Sequence, residues 1–414
     1  MTKERVSHFS KKWLTLFVIT AACAAAPRVS LEIAPAPAPL ERGYADFWEA
    51  ALALDYERAG LLATSEPQRD YSRALGALAD GRIAEAQALL AGLAGDAQAA
   101  PRARALLAAV VKEGATIPDA AFSSRVDRSF VEALHEARSA ERWIFPAEPV
   151  VLPFERGGSA TPLVPVRVGG RDAVLGLDTG AGLTVIGSEL ADAVGARRLG
   201  ARTGARDAHG EGVQVELALV DLEIGAIRIQ RHPVIVIDSA RLRFKVAGIQ
   251  IASFDGVLGW NAIAPLRITL DNAWKTIRFE RSGGAVRGGG DLLWIGEPYV
   301  RARASNGLPL TLFLDTGASR TALSEPVAAL AGLRSDERKS TLVMGAGSSR
   351  RMEVTVHRGA ALHVGGARVA FDELQSMEPR SSGYAVRDGV LGADALRGGK
   401  VVLDPAAREF TISP

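Results

Sequence analysis

The second half of this chain carries one sequence skeleton written twice, and that repeat limits its possible folds more than any other feature. Leu175-Gly176-Leu177-Asp178-Thr179-Gly180-Ala181 returns as Leu312-Phe313-Leu314-Asp315-Thr316-Gly317-Ala318. Further on, Asp255-Gly256-Val257-Leu258-Gly259 returns as Asp388-Gly389-Val390-Leu391-Gly392, with Leu270-Asp271 and Leu403-Asp404 following at the same offset. A single short match can be accidental, but two matches in the same order and at similar spacing indicate a duplicated structural unit. From residue 161 the chain reads as short alternating runs with frequent glycines, such as Leu163-Val164-Pro165-Val166-Arg167-Val168-Gly169-Gly170. That pattern predicts strands and tight turns. The Gly-rich stretch 282–290 reads as a linker between lobes spanning 155–281 and 291–414.

The paired motifs, in this order, resemble those of the retropepsin-like and pepsin-like aspartic peptidase superfamily, over roughly residues 155–414. The resemblance implies a mainly β fold. Two tandem retropepsin-like acid-protease β-barrel lobes would form a pseudo-dimer, preceded by an α-helical N-terminal region. It further implies that Asp178 and Asp315 are the catalytic pair and that the hydroxyls of Thr179 and Thr316 bond across the lobe interface. Val257-Leu258-Gly259 and Val390-Leu391-Gly392 would pack behind the motif loops.

The chemistry fits these residue types. Peptide hydrolysis needs a base to activate water and an acid to protonate the carbonyl oxygen. Two carboxyls held close cannot both ionise cheaply, so the pair keeps one proton and supplies both functions, as this enzyme class is known to do. Gly180 and Gly317 lack a Cβ, which lets two loops approach closely. Ala181 and Ala318 stand where pepsins carry Ser or Thr. Losing that hydrogen bond to each carboxylate predicts raised pKa values and a pH optimum milder than pepsin's. Glycine-bearing hairpins at 203–212 and 344–348, the first containing His209, are candidate flaps, and neither carries the tyrosine of pepsin-like flaps. The expected function is an aspartic endopeptidase acting on a peptide or protein substrate. An inactive peptide-binding or scaffold protein of the cell envelope would share the same fold. One chain can supply the whole dyad, as a monomer with pseudo-twofold lobes, or each repeat can pair with its counterpart in a homodimer.

Other residues of the repeats read as structural. Asp271 and Asp404 sit between apolar runs and suit turns. Asp255 and Asp388 suit loop-stabilising hydrogen bonds, and Trp260 and Trp274 suit packing in the first lobe.

Composition removes several function classes. Lys and Arg total 49 against 47 Asp and Glu, so the formal charge of +2 gives no electrostatic reason for a nucleic-acid partner. A single cysteine, Cys23, excludes an intrachain disulfide and a Cys-based zinc cluster. The six histidines include no His-x-x-x-His pair, so neither metal nor cofactor is expected.

Lys3, Arg5, Lys11 and Lys12 precede an apolar run, Trp13 to Ala22, in the layout of a signal peptide over residues 1–23. The run falls short of the about 20 residues a membrane span needs. Small residues before the lone Cys23 resemble a bacterial lipoprotein signal, which would lipidate Cys23 and tether the protein to the membrane. Thr20 departs from that pattern, and simple secretion with cleavage near Ala24 or an uncleaved anchor are the alternative readings. Either way the expected location is the cell envelope or periplasm. Residues 24–43 read as a Pro/Ala-rich extended spacer. Residues 44–145 read as helical, with apolar positions every three or four residues in Ala74-Leu75-Leu78 and Ile83-Ala86-Leu89-Leu90-Leu93. Gly81-Arg82-Ile83-Ala84-Glu85-Ala86 faintly resembles a tetratricopeptide helix pair. Lying before the lobes, this region is a candidate cover for their cleft.

Overall fold

The computed structural model describes residues 15–16, 29–111, 125–156, 160–207, 212–246, 249–283, 290–345 and 348–414. Cys23, His209 and most of the 282–290 linker lie outside them. Of residues 1–23, Thr15–Leu16 is described, as a two-residue strand beside Arg206–Asp207.

Each copy of the repeat folds into one curled sheet. In the first lobe, Pro162–Val168 and Arg171–Leu177 form a hairpin whose turn, Gly169-Gly170, has φ of +55° and +80°. Glycine reaches that left-handed region without steric cost. Alternation then puts Val164, Val166 and Val168 inside. The strand Gly256–Leu258 runs parallel to the motif strand, Gly256 opposite Leu175 and Leu258 opposite Leu177. The second lobe repeats this register, with Gly389 opposite Leu312 and Leu391 opposite Leu314. In both lobes a third strand, Val185–Gly187 or Ala322–Ser324, closes on the other side. Each aspartate therefore sits at the end of a strand held on both flanks.

The lobes are fused through a five-stranded sheet that interleaves them. Val150–Pro153, Thr276–Arg281 and Leu266–Asp271 come from the first half, and Lys400–Asp404 and Glu409–Ser413 from the second. The seam pairs Ile268 with Leu403 and Leu270 with Val401. One apolar core runs through this sheet into both lobes and contains Ile268, Phe279, Leu403, Phe410 and Ile412.

The N-terminal region is helical: Phe47–Leu52, Tyr56–Leu62, Glu66–Ala79, Ile83–Gly92, Ala99–Val110 and Arg125–Ala140. Side-chain caps start three of these helices, Asp46 accepting from Glu49 N, Asp55 from Arg58 N and Ser65 from Gln68 N. The helix Glu66–Ala79 ends at Asp80-Gly81, where Gly81 has φ of +74°. The apolar faces of the helices between 47 and 111 bury Tyr71, Leu75, Leu78, Leu90 and Leu106 in a cluster shared with Leu293, Tyr299 and Phe313 of the second lobe.

Three sequence-based expectations are corrected. Residues 24–43 include a strand, Val29–Glu32, that extends the second-lobe sheet by pairing with Ala367–Phe371. The proline-rich stretch after it is tied down where Leu40 N donates to Gly307 O at 2.9 Å. Arg142–Ile144, assigned to the helical region, pairs with Arg228–Gln230 and so belongs to the first-lobe sheet. Trp274 does not pack in the first lobe and is 80% exposed. It sits in the turn between two strands, where its backbone N–H donates to Asp271 Oδ1. Trp260, by contrast, is buried in the core.

Because the five-stranded sheet takes strands from both halves, the lobes should unfold together. Phe279→Ala, at a fully buried position of that sheet, should cost about 3–5 kcal/mol and lower the midpoint of one shared transition. Calorimetry showing two separated transitions, only one of them shifted, would contradict this.

Candidate active site

The two motif loops meet at the lobe interface, each hung on the Val-Leu-Gly strand behind it. Asp178 N donates to Leu258 O at 3.0 Å and Asp315 N to Leu391 O at 3.1 Å. The next residues close the far side of each loop, Trp260 N donating to Ala181 O at 2.6 Å and Ala393 N to Ala318 O at 2.7 Å. Gly259 and Gly392 permit this packing, since a Cβ there would stand 2.3 Å from Leu183 O and 2.5 Å from Arg320 O. Leu258 and Leu391 point into the lobes and are buried.

Four crossed hydrogen bonds join the loops. Thr179 N donates to Thr316 Oγ1 at 3.0 Å, and Thr316 N to Thr179 Oγ1 at 3.1 Å. The same hydroxyls donate onward, Thr179 Oγ1 to Leu314 O at 2.7 Å and Thr316 Oγ1 to Leu177 O at 2.6 Å. Both threonines are buried, so every donor and acceptor here needs its partner.

Around this lock the carboxyls face one another. A Cβ on Gly180 would lie 2.6 Å from Asp315 Oδ1, and one on Gly317 would lie 2.7 Å from Asp178 Cγ. Each glycine thus makes room for the other lobe's carboxyl. Asp178 Oδ1 accepts from Gly180 N at 2.9 Å and Ala181 N at 3.2 Å. Asp315 Oδ1 accepts from Gly317 N at 2.9 Å and Ala318 N at 3.0 Å. Asp178 Oδ2 is buried without a hydrogen-bond partner. Burial, then the charge of Asp315, pushes the Asp178 carboxyl well above its ordinary range, against the pull of the Gly180 and Ala181 N–H groups. Burial likewise pushes Asp315 up to about 6, opposed by the Ala318 N–H, the Arg387 guanidinium and the Gly317 N–H. Two such carboxyls hold one proton between them over a wide pH range.

Two family models match the chain, one on each repeat. The aspartyl protease model covers residues 164–262, and the gag-polyprotein aspartyl protease model covers residues 303–398. The chain carries two tandem retropepsin-like aspartyl protease domains. A search of curated proteins returns no match.

The remaining repeated residues of the two domains fall into place around the carboxyl pair. Asp255 Oδ2 accepts from Val174 N and Asp388 Oδ2 from Thr311 N, both at 2.9 Å, bracing the motif strands. Both flap candidates are hairpins, Arg197–Asp207 with Gly212–Ile224 and Glu337–Gly345 with Ser348–Arg358, and their tips lie outside the described residues. Among the described residues no three His, Cys, Asp or Glu side chains converge as a metal site.

One pair of supports escaped the sequence reading. Thr184 Oγ1 donates to Asn261 Oδ1 at 3.0 Å and accepts from Gly259 N at 3.3 Å. In the second lobe Thr321 Oγ1 donates to Asp394 Oδ1 at 2.6 Å and accepts from Gly392 N at 3.1 Å. The signal was present, because both threonines stand six residues past the motif aspartate and both partners two past the glycine. A self-comparison restricted to identical residues passes over Asn against Asp. His232 completes the first-lobe network, one ring nitrogen 3.0 Å from Thr184 Oγ1 and the other 2.5 Å from Glu141.

Two measurements probe this geometry. Thr316→Val removes the hydroxyl that serves Thr179 N and Leu177 O, and should cost about 2–4 kcal/mol because both groups stay buried, while Thr316→Ser should cost far less. Equal melting points for the two variants would exclude the lock. Asp178→Asn should raise the melting temperature by a few degrees at pH 7–8, with the gain vanishing towards pH 4. A carboxyl whose folded pKa is raised stabilises the fold below its unfolded pKa of about 3.9 and loses that contribution as pH rises through the folded value. A gain that grew towards acid would reverse the assignment.

Proposed function

We propose that this protein is an aspartic endopeptidase whose single active site is the pair Asp178 and Asp315 within one chain. The observation that carries the reading is the facing of two buried carboxyls, each held by the N–H groups of its own loop and each lying against the other loop's glycine. With one proton on the pair, the ionised carboxylate takes a proton from a water molecule as that oxygen attacks the peptide carbonyl carbon. The other carboxyl gives its proton to the carbonyl oxygen, forming a neutral diol. A proton from the diol returns to the pair, the proton taken from water passes to the amide nitrogen, and the C–N bond breaks. Acid and amine leave, and the pair again holds one proton. The N–H groups of Gly180, Ala181, Gly317 and Ala318 fix the carboxyls, and the threonine lock fixes the loops, so little reorganisation precedes the reaction.

Neither Ala181 nor Ala318 has a hydroxyl to stabilise the charged form, which supports activity at milder pH than a pepsin's. The basic and apolar N-terminus supports export to the cell envelope or periplasm, with Cys23 as a lipid anchor. No helix among the described residues is long and apolar enough to cross a membrane.

Digestion of a peptide library tests the reading. Asp178→Asn and Asp315→Asn should each reduce cleavage by about 1,000-fold or more. Residual activity in either single variant would point to independent homodimeric sites. For the unmodified chain the rate should peak above about pH 6, between the two steps of the pair, falling on the acid side as the second proton binds and on the basic side as the first is lost. A peak at strongly acidic pH would contradict the role of the two alanines.

A further inference from the structure

The carboxyl pair has almost no exposed surface, Asp178 being 0% and Asp315 1% exposed. A peptidase must admit a stretch of peptide at this point, so whatever covers the pair decides what the folded chain can do. The helix Arg125–Ala140 shares an apolar cluster with the first site loop.

Phe130 and Leu134, one helical turn apart, are 2% and 0% exposed. They belong to an apolar cluster that includes Ala181, three residues past Asp178, and Val257 of the Val-Leu-Gly strand. The same cluster includes Ala205, Val213, Val215 and Leu217 of the first flap hairpin. The helix itself packs on both strands of that hairpin and on Ile227–Ile237 beside them. Val131, next along the helix, joins instead the cluster of Phe313 and Tyr384, against which Val390 packs. Val257 and Val390 are the same position in the two repeats. Successive residues of one helix thus join the apolar cluster of the first site loop and the cluster shared by the N-terminal helices and the second lobe, and the helix packs against the first flap hairpin. His135 anchors it from behind, a ring nitrogen lying 2.6 Å from Val111 O.

We propose that the helix Arg125–Ala140 is a built-in occupant of the substrate groove, so that the chain folds in a latent state and the helix must withdraw before a peptide with bulky apolar side chains takes the pockets of Phe130 and Leu134. This rests on the peptidase reading of the site. The helix is not itself a substrate in this position. Its backbone N–H and C=O groups bond within the helix and are not free to pair with a flap as an extended peptide would. Withdrawal and ligand binding are linked, because a ligand whose groove is open in only a fraction of molecules binds more weakly by that fraction.

The test uses the full chain and pepstatin, a statine-containing apolar peptide, as the probe. Calorimetry at pH 5.5 compares the unmodified chain with F130D/L134D, and with F130A/L134A should the charged variant fail to fold. Folded variants should bind pepstatin about ten-fold or more tightly than the unmodified chain. In the unmodified chain, saturating pepstatin should speed hydrogen exchange at the amides of residues 128–140. Equal affinities, or exchange in the helix that does not respond, would overturn the proposal. Library digestion run in parallel separates the two readings. A variant that binds pepstatin more tightly yet cuts no peptide supports the groove occupant and removes the hydrolytic function.

Discussion

Four hydrogen bonds between Thr179 and Thr316 and their neighbours hold together what electrostatics would drive apart. Two like unit charges about 4 Å apart repel by roughly 4 kcal/mol at an effective dielectric constant near 20. Buried hydrogen bonds contribute about 1 kcal/mol each, so four of them do not comfortably outweigh two full charges. The balance tips because the pair keeps a proton, leaving one negative charge facing the N–H groups of Gly180, Ala181, Gly317 and Ala318. The same compromise that lets the lobes close also equips the site with an acid and a base together.

Fusing the two lobes into one chain releases them from exact symmetry, and the structure uses that freedom on the surfaces facing the N-terminal region. The floor of the site is almost superimposable in its bonding, down to the strand register behind each aspartate. Outside it the repeats differ. Arg42 Nη1 donates to both oxygens of Asp388 at 2.9 and 2.8 Å, reaching in from the spacer. Arg387 lies 3.8 Å over the Phe313 ring and pairs with Glu297 at 2.6 Å, whereas the corresponding first-lobe residue is Phe254. A homodimer would have to repeat each of these features on both sides.

Much of the fold and the centre of the site could be read from the sequence, because duplication makes the pattern visible against its own copy. Asp178 with Asp315, the glycines and the Val-Leu-Gly strands stand out in this way. The misses share a physical origin. Thr184 with Asn261 and Thr321 with Asp394 are matched in role but only partly in identity. Trp274 looked like a core residue by type, but it stands exposed in a turn. Arg142–Ile144 and Val29–Glu32 are strands of three and four residues whose pairing partners lie far along the chain, and local pattern carries no information on such partners. Amphipathic spacing showed that the N-terminal helices bury a face, yet it could not say that the second lobe would cover it.

Asp178 and Asp315 act as one titrating pair, which carboxyl-carbon NMR of the aspartate-labelled chain can follow step by step. The pair should titrate in two well-separated steps, and the single carboxyl left in Asp178→Asn should titrate lower than the upper step once its charged neighbour is gone. Two independent titrations near pH 4, unchanged when either partner is replaced by Asn, would contradict it.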